Sequence, residues 1–149
     1  MSKKRLVFNV RDVAGFSPAG YEAAFVSHML VDQESVGSER LVLNYFVLKP
    51  GKNTDPGSHP SPFDEIYYIL RGQGILYLNG SRESHDLVPD TVCFIPAGTV
   101  HSVVNPGSID LEMVTVMPGP IIEGVNSLYD ERKERWGNSF KFEEKGKTR

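Results

Sequence analysis

The feature that most constrains this chain is a repeated alternation of short apolar runs with breaks built on glycine and proline. The runs, rich in Val, Ile, Leu, Tyr and Phe, are Leu41 to Leu48, Glu65 to Arg71, Ile75 to Leu78, Thr91 to Ile95, Thr99 to Val104 and Leu111 to Met117. Between them stand Lys49-Pro50-Gly51, Gly72-Gln73-Gly74, Asn79-Gly80-Ser81, Pro96-Ala97-Gly98 and Asn105-Pro106-Gly107. Runs this short, with β-branched and aromatic side chains and turn residues at both ends, read as strands. Many such strands must hide their edges and one face each, which a sandwich, barrel or jelly roll achieves. The expected fold class is therefore all-β.

The two ends read differently. Tyr21 to Val31, with Phe25, Val26, Met29 and Leu30 apolar, fits a strand or a short helix, and the pattern does not choose. Near the C-terminus, Ser127 with Asp130 three residues on resembles a helix start, and Gly137 is a usual stop. Leu128 and Trp136 share one face of that segment, so a short helix over 127–137 is expected across the outside of the strands. The Lys- and Glu-rich tail from Lys141 is expected to fray. With 149 residues and no internal repeat, one domain with a core at about 40–117 is the simplest organisation.

Composition excludes several function classes. The chain carries 16 basic and 19 acidic residues with no basic stripe, which argues against a nucleic-acid partner. Lys3-Lys4-Arg5 is followed by only Leu6, Val7 and Phe8 before polar residues return. A secretory signal needs roughly 7–15 apolar residues and a membrane span roughly 20, so no membrane association is expected. The single Cys93 rules out an intramolecular disulfide and is read as a buried, inert thiol of a cytoplasmic protein.

The chemistry lies with the histidines, of which there are four: His28, His59, His85 and His101. His59 stands in Gly57-Ser58-His59-Pro60-Ser61-Pro62-Phe63-Asp64-Glu65, at the mouth of a strand that Glu65 opens. His101 follows the Pro96-Ala97-Gly98 turn. Imidazoles and a carboxylate on neighbouring strands of a small barrel can all point inward and meet, as a borderline metal ion requires. The alternative is a metal-free barrel in which both imidazoles hydrogen-bond a buried carboxylate. His85, after Glu83-Ser84 in a turn-like stretch, is read as a surface residue, and His28 as structural. Strand parity from Glu65 places Tyr67, Ile69 and Arg71 inward; from His101 it places Val103 and Asn105 inward. For Leu111 to Met117 parity alone leaves both faces open.

These stretches resemble the two motifs of the cupin superfamily. Gly51, Glu65 and Gly72 match the ends of its first motif, Gly, five residues, His-x-His, three or four residues, Glu, six residues, Gly. Pro96, Gly98, His101 and Asn105 match the second, with Asp90 where its first Gly stands. The first His of the family's His-x-His falls on Gly57, which puts His59 at the second position. A register with His59 first would make Ser61 the lost ligand; the Gly51 to Gly57 spacing favours the former.

The resemblance implies a double-stranded β-helix, a jelly-roll barrel, with the usual four ligands reduced to His59, Glu65 and His101. It implies one divalent transition metal, Fe, Mn, Zn or Ni, and a small-molecule substrate; strand parity makes Tyr67 the candidate catalytic group beside the metal, with core packing as the alternative. An oxygenase, lyase or isomerase fits an open two-His, one-Glu site. The competing readings are a non-catalytic barrel binding a sugar or organic acid, and a metal-free isomerase or epimerase using a His as base. Family analogy also implies a homodimer formed by exchange of N-terminal strands.

Overall fold

A computed structural model of the chain describes residues 6–17, 20–33, 35–119 and 141–142. Among these described residues are a short 3-10 turn at Val10–Asp12 and ten strands. These are β1 (Phe16–Ser17), β2 (Phe25–Val31), β3 (Leu41–Leu48), β4 (Glu65–Arg71), β5 (Gly74–Leu78), β6 (Glu83–Leu87), β7 (Val92–Ile95), β8 (His101–Val104), β9 (Leu111–Pro118) and β10 (Lys141–Phe142).

One antiparallel sheet runs β10-β1-β2-β3-β9-β4-β7 and the second runs β6-β5-β8. Two further bridges, Asn53 to Val104 and Gly57 to His101, lay residues 53–57 along the free side of β8. Counting that segment, the order β3-β9-β4-β7 faces the order 53–57, β8, β5, β6. Each sheet is thus built by strands taken in turn from both halves of the chain, which is the jelly-roll arrangement.

Burial alternates as the pleat demands. On β4, Glu65, Tyr67 and Ile69 are buried while Ile66, Tyr68 and Leu70 are exposed. On β9, Leu111, Met113, Thr115 and Met117 face inward, which settles the parity that the sequence left open. Leu48, Ile69, Leu87 and Leu111, all 0% exposed, anchor the space between the sheets together with Leu76, Ile95, Val103 and Met113. Each such side chain contributes about 1.5–3 kcal/mol by leaving water.

The structure corrects or completes the expectations at three places. Phe25–Val31 is a strand, paired with β3 from Phe25 opposite Leu48 onward. Glu83–Leu87, which looked turn-like, is strand β6; only Leu87 of it is buried, so it shows no alternation, and backbone pairing with β5 holds it. Arg71 does not face inward. The β4–β9 register shifts between Ile69 and Arg71, and this extra residue turns Arg71 outward to bind Glu112 at 3.3 Å. The helix expected over 127–137 lies outside the described residues.

Glycine is required at one tight crossing. Gly72 has φ of +81°, and a Cβ there would stand 2.3 Å from the Asp110 carbonyl oxygen. Asp90, at the place of a family glycine, also takes positive φ (70°), with its amide donating to the Ile69 carbonyl at 2.9 Å. Among the described residues no helix is long and apolar enough to cross a membrane.

Candidate metal centre

Two loops bring the candidate ligands together, and each is tied to the other. The 58–64 loop is braced internally by Phe63 N donating to Pro60 O (2.9 Å) and Asp64 N to Pro62 O (3.0 Å), with Phe63 buried beneath it. It is clamped to the Pro96–Gly98 turn by Gly98 N donating to His59 O (2.7 Å) and Ala97 N donating to the Asp64 carboxylate (2.9 Å). Gly98 closes that turn at φ of +82°, and His101 follows as the first residue of β8. Glu65 opens β4 opposite Ile95 of β7.

His59, Glu65 and His101 thereby meet in the interior, each offering one ligand atom within 4.8 Å of the others. His59 Nε2 lies 3.1 Å and His101 Nε2 3.3 Å from the same oxygen, Glu65 Oε2. Glu65 is 5% and His101 8% exposed. Burial is the largest single influence on the Glu65 carboxyl and would raise it. Hydrogen bonds from His101 and His59, with their charge, outweigh that burial and hold the group at about 2. Glu65 is therefore a buried carboxylate that stays ionised.

The donor set fits a metal ion. His101 Nδ1 lies 2.9 Å from the Thr99 carbonyl oxygen. A carbonyl only accepts, so Nδ1 carries the proton and a neutral His101 turns the lone pair of Nε2 toward Glu65. That lone pair and an ionised carboxylate oxygen face each other at 3.3 Å, which requires a cation between them: a proton on Nε2 or a metal ion. The Thr99 carbonyl is the kind of outer partner that fixes a ligating imidazole's tautomer.

Tyr67, two residues along β4 from Glu65, is buried, its ring edge-on to that of His101 with centroids 6.1 Å apart. It belongs to a row that sequence reading missed. Tyr67 pairs with Thr115 and Thr115 with Asn44, all three buried and facing inward. Asn44 was visible as a polar residue inside an apolar run, but only the settled parity of β9 joins it to Tyr67 through Thr115. Asp64 was also missed, since its role is a contact across two loops.

The remaining candidates sit apart from this group. His85 is exposed and bonded to Glu83 at 2.7 Å, and His28 binds the Val13 carbonyl at 3.0 Å against the Tyr45 ring. Cys93 is buried, which pushes its thiol up. Asn105 is 0% exposed and works as a structural knot. Its Nδ2 donates to the carbonyls of Leu48 and Ile109, and its Oδ1 accepts from Gly107 N, all at 2.9 Å. Gly57 lies directly opposite His101 in the bridge, so a side chain at position 57 would stand on the same face as His101.

Comparison with known proteins agrees with this architecture. The family model described as "Cupin domain" matches residues 44–117. The oxalate-binding protein of Thermotoga maritima is 33% identical over 88 residues, 59% of this chain and 70% of that protein. A 3-hydroxyanthranilate 3,4-dioxygenase of Paraburkholderia phytofirmans is 33% identical over 78 residues, 50% of this chain and 45% of the enzyme, so less than half of the enzyme's length is matched. A Thermotoga maritima structure described as a predicted oxalate decarboxylase superposes with a TM-score of 0.65 at 25% identity. That likeness covers 76% of this chain and 98% of the other. The matched segment holds both loops that carry the candidate ligands, the whole β6-β5-β8 sheet and most of β3-β9-β4-β7, and on that ground the chain belongs to the cupin family.

Proposed function

We propose that this chain is a metal-dependent enzyme acting on a small molecule, with His59, Glu65 and His101 holding one divalent transition metal and Tyr67 meeting the substrate. The observation that carries the reading is the convergence of two imidazoles and one ionised carboxylate, brought together by two loops, in the buried interior of the barrel. Two nitrogens and one oxygen suit Fe, Mn, Zn or Ni and leave positions open. Bound there, such an ion supplies Lewis acidity toward a substrate oxygen, and Fe(II) supplies dioxygen chemistry.

The chain's own residues do the rest. Glu65 keeps a negative charge where none would otherwise persist, and the Thr99 carbonyl holds the His101 ring and its tautomer. Ile95, Val103 and Leu76 wall the interior against water. Tyr67 sets a phenol in the same interior, placed to hydrogen-bond or protonate a substrate oxygen. The relative named a dioxygenase supports an oxygenase, hence an oxidoreductase. The single thiol suits a cytoplasmic protein, and a homodimer is the assembly we infer.

A second reading, a binding protein for a small organic acid without turnover, is favoured by the bare position at Gly57 opposite His101 and by the relative named for oxalate binding. Elemental analysis of protein purified without added metal tests the shared core. We expect close to one transition metal per chain, lost in His59→Ala and His101→Ala. Metal near zero, with stability unchanged by chelator, refutes the metal centre. Bound metal with ligand binding but no product in turnover assays selects the second reading.

A further inference from the structure

Asn105 and Asn44 are both buried in the barrel, and only the first is satisfied. Asn105 uses both ends of its amide in three bonds of 2.9 Å. Asn44, 4% exposed on β3, makes one long bond, Nδ2 to Ser27 Oγ at 3.4 Å, and its Oδ1 has no hydrogen-bond partner among the described residues. A buried carbonyl without a donor costs stability, so packing alone would favour an apolar side chain of similar shape here.

Asn44 lies in a row that leads to the candidate metal centre. Opposite it on β9 stands Thr115, and opposite Thr115 on β4 stands Tyr67, whose ring lies edge-on to that of His101. Cross-strand partners share a face, so amide, hydroxyl and phenol form one polar line across the inner wall. Both sides of that line are apolar. Val42 and Met117, with Met29 packed against them, flank it on one side, and the paired Phe46 and Met113 flank it on the other. Two strand spacings and two residues of rise set the Asn44 backbone about 12 Å from that of Glu65. One six-membered ring with a substituent at each end bridges such a gap.

We propose that Asn44, with Thr115 beside it, sets the specificity of this site by holding the end of the substrate remote from the metal. The inference rests on the metal-centre reading above and adds the chemistry of the ligand. A carboxamide oxygen only accepts, so the group that meets Asn44 Oδ1 is a hydroxyl or an amine. The flanking side chains are aliphatic, thioether and aromatic, so the body between the two ends is an apolar ring rather than a polyhydroxylated one. The ligand is thus a small ring acid, its carboxylate toward the divalent cation and its hydroxyl or amino group against Asn44. A ligand that lacks this donor leaves the buried amide unpaired and is rejected.

Calorimetric titration of the purified protein with 4-hydroxybenzoate and with benzoate tests the proposal, alongside urea unfolding of the same samples without ligand. The wild type should bind the hydroxy acid about tenfold more tightly or better. Asn44→Leu should abolish that preference and leave metal content unchanged. It should also move the urea midpoint upward, because it removes an unsatisfied group, whereas a purely structural Asn44 predicts a downward move. If Asn44→Leu is too bulky to fold, Thr115→Val removes the neighbouring hydroxyl at constant shape and must narrow the preference without lowering the midpoint. Equal affinity for the two acids, or affinity for neither, overturns the proposal, as does a lowered midpoint in both variants. A wild type that lacks metal yet keeps a preference lost in Asn44→Leu refutes the metal centre and upholds the role of Asn44.

Discussion

Replacing Glu65 by Gln in the metal-free protein isolates the charge at the centre of the site. In the wild type, the carboxyl is held at about 2 against an ordinary 4.5, because two imidazoles donate to it. As pH falls from 4.5 toward 2, the unfolded chain takes up this proton and the folded chain does not. The stability that Glu65 contributes is thus fully present above about 4.5 and is lost progressively as pH falls through about 2. The distance between those two values corresponds to roughly 3 kcal/mol. Glu65→Gln keeps the shape and removes the titration, so it should flatten this part of the pH profile while lowering stability at neutral pH.

The assay is urea unfolding of chelator-treated protein at a series of pH values down to the acid limit of the folded state. The difference between wild type and Glu65→Gln should shrink steadily with acid. A constant difference would mean that Glu65 titrates in the folded protein as it does in the unfolded one, and the imidazole–carboxylate argument would fail.

Two further outcomes follow from the same geometry. Gly57→His should raise affinity for a divalent transition metal by about tenfold or more, read by competition with a chelating dye. Gly57 is not among the glycines with positive φ, so its backbone does not demand glycine, and a side chain there would share the face of His101. A gain from Ser61→His instead would move the lost ligand to position 61. Asn105→Ala strips three 2.9 Å hydrogen bonds from a fully buried knot, taking the side-chain partner from the Leu48 and Ile109 carbonyls and the Gly107 amide. A loss of about 3 kcal/mol in denaturant unfolding is expected, and a loss below about 1 kcal/mol would refute the knot.

The fold was legible wherever burial imposed a period. Strands β3 and β4 fall where their apolar runs begin and end, because one face of each must be dry. Strand β6 was not legible, since four of its five residues are exposed and its pairing with β5 uses backbone groups that carry no sequence signal. Arg71 misled for a related reason: parity is sound only until a bulge, and nothing in Ile69-Leu70-Arg71 announces one. The ligand candidates were legible because the chain has only four histidines, and two of them stand beside Pro/Gly turns near strand starts. Tyr67's neighbours were not, because Thr115 and Asn44 reach its row through strands distant in sequence.

What joins the two ligand loops was equally hidden, and it bears on how the site behaves. The Asp64 carboxylate and the His59 carbonyl both bind backbone amides of the Pro96–Gly98 turn, and His101 begins three residues later. The position of His101 relative to Glu65 is thus set twice, by the Gly57–His101 bridge and by this clamp. Such double fixing suits the proposed site, in which the resemblance implies that three ligands stand where the family usually has four. If His59, Glu65 and His101 hold the proposed metal, precision of placement comes from this backbone clamp rather than from a fourth side chain.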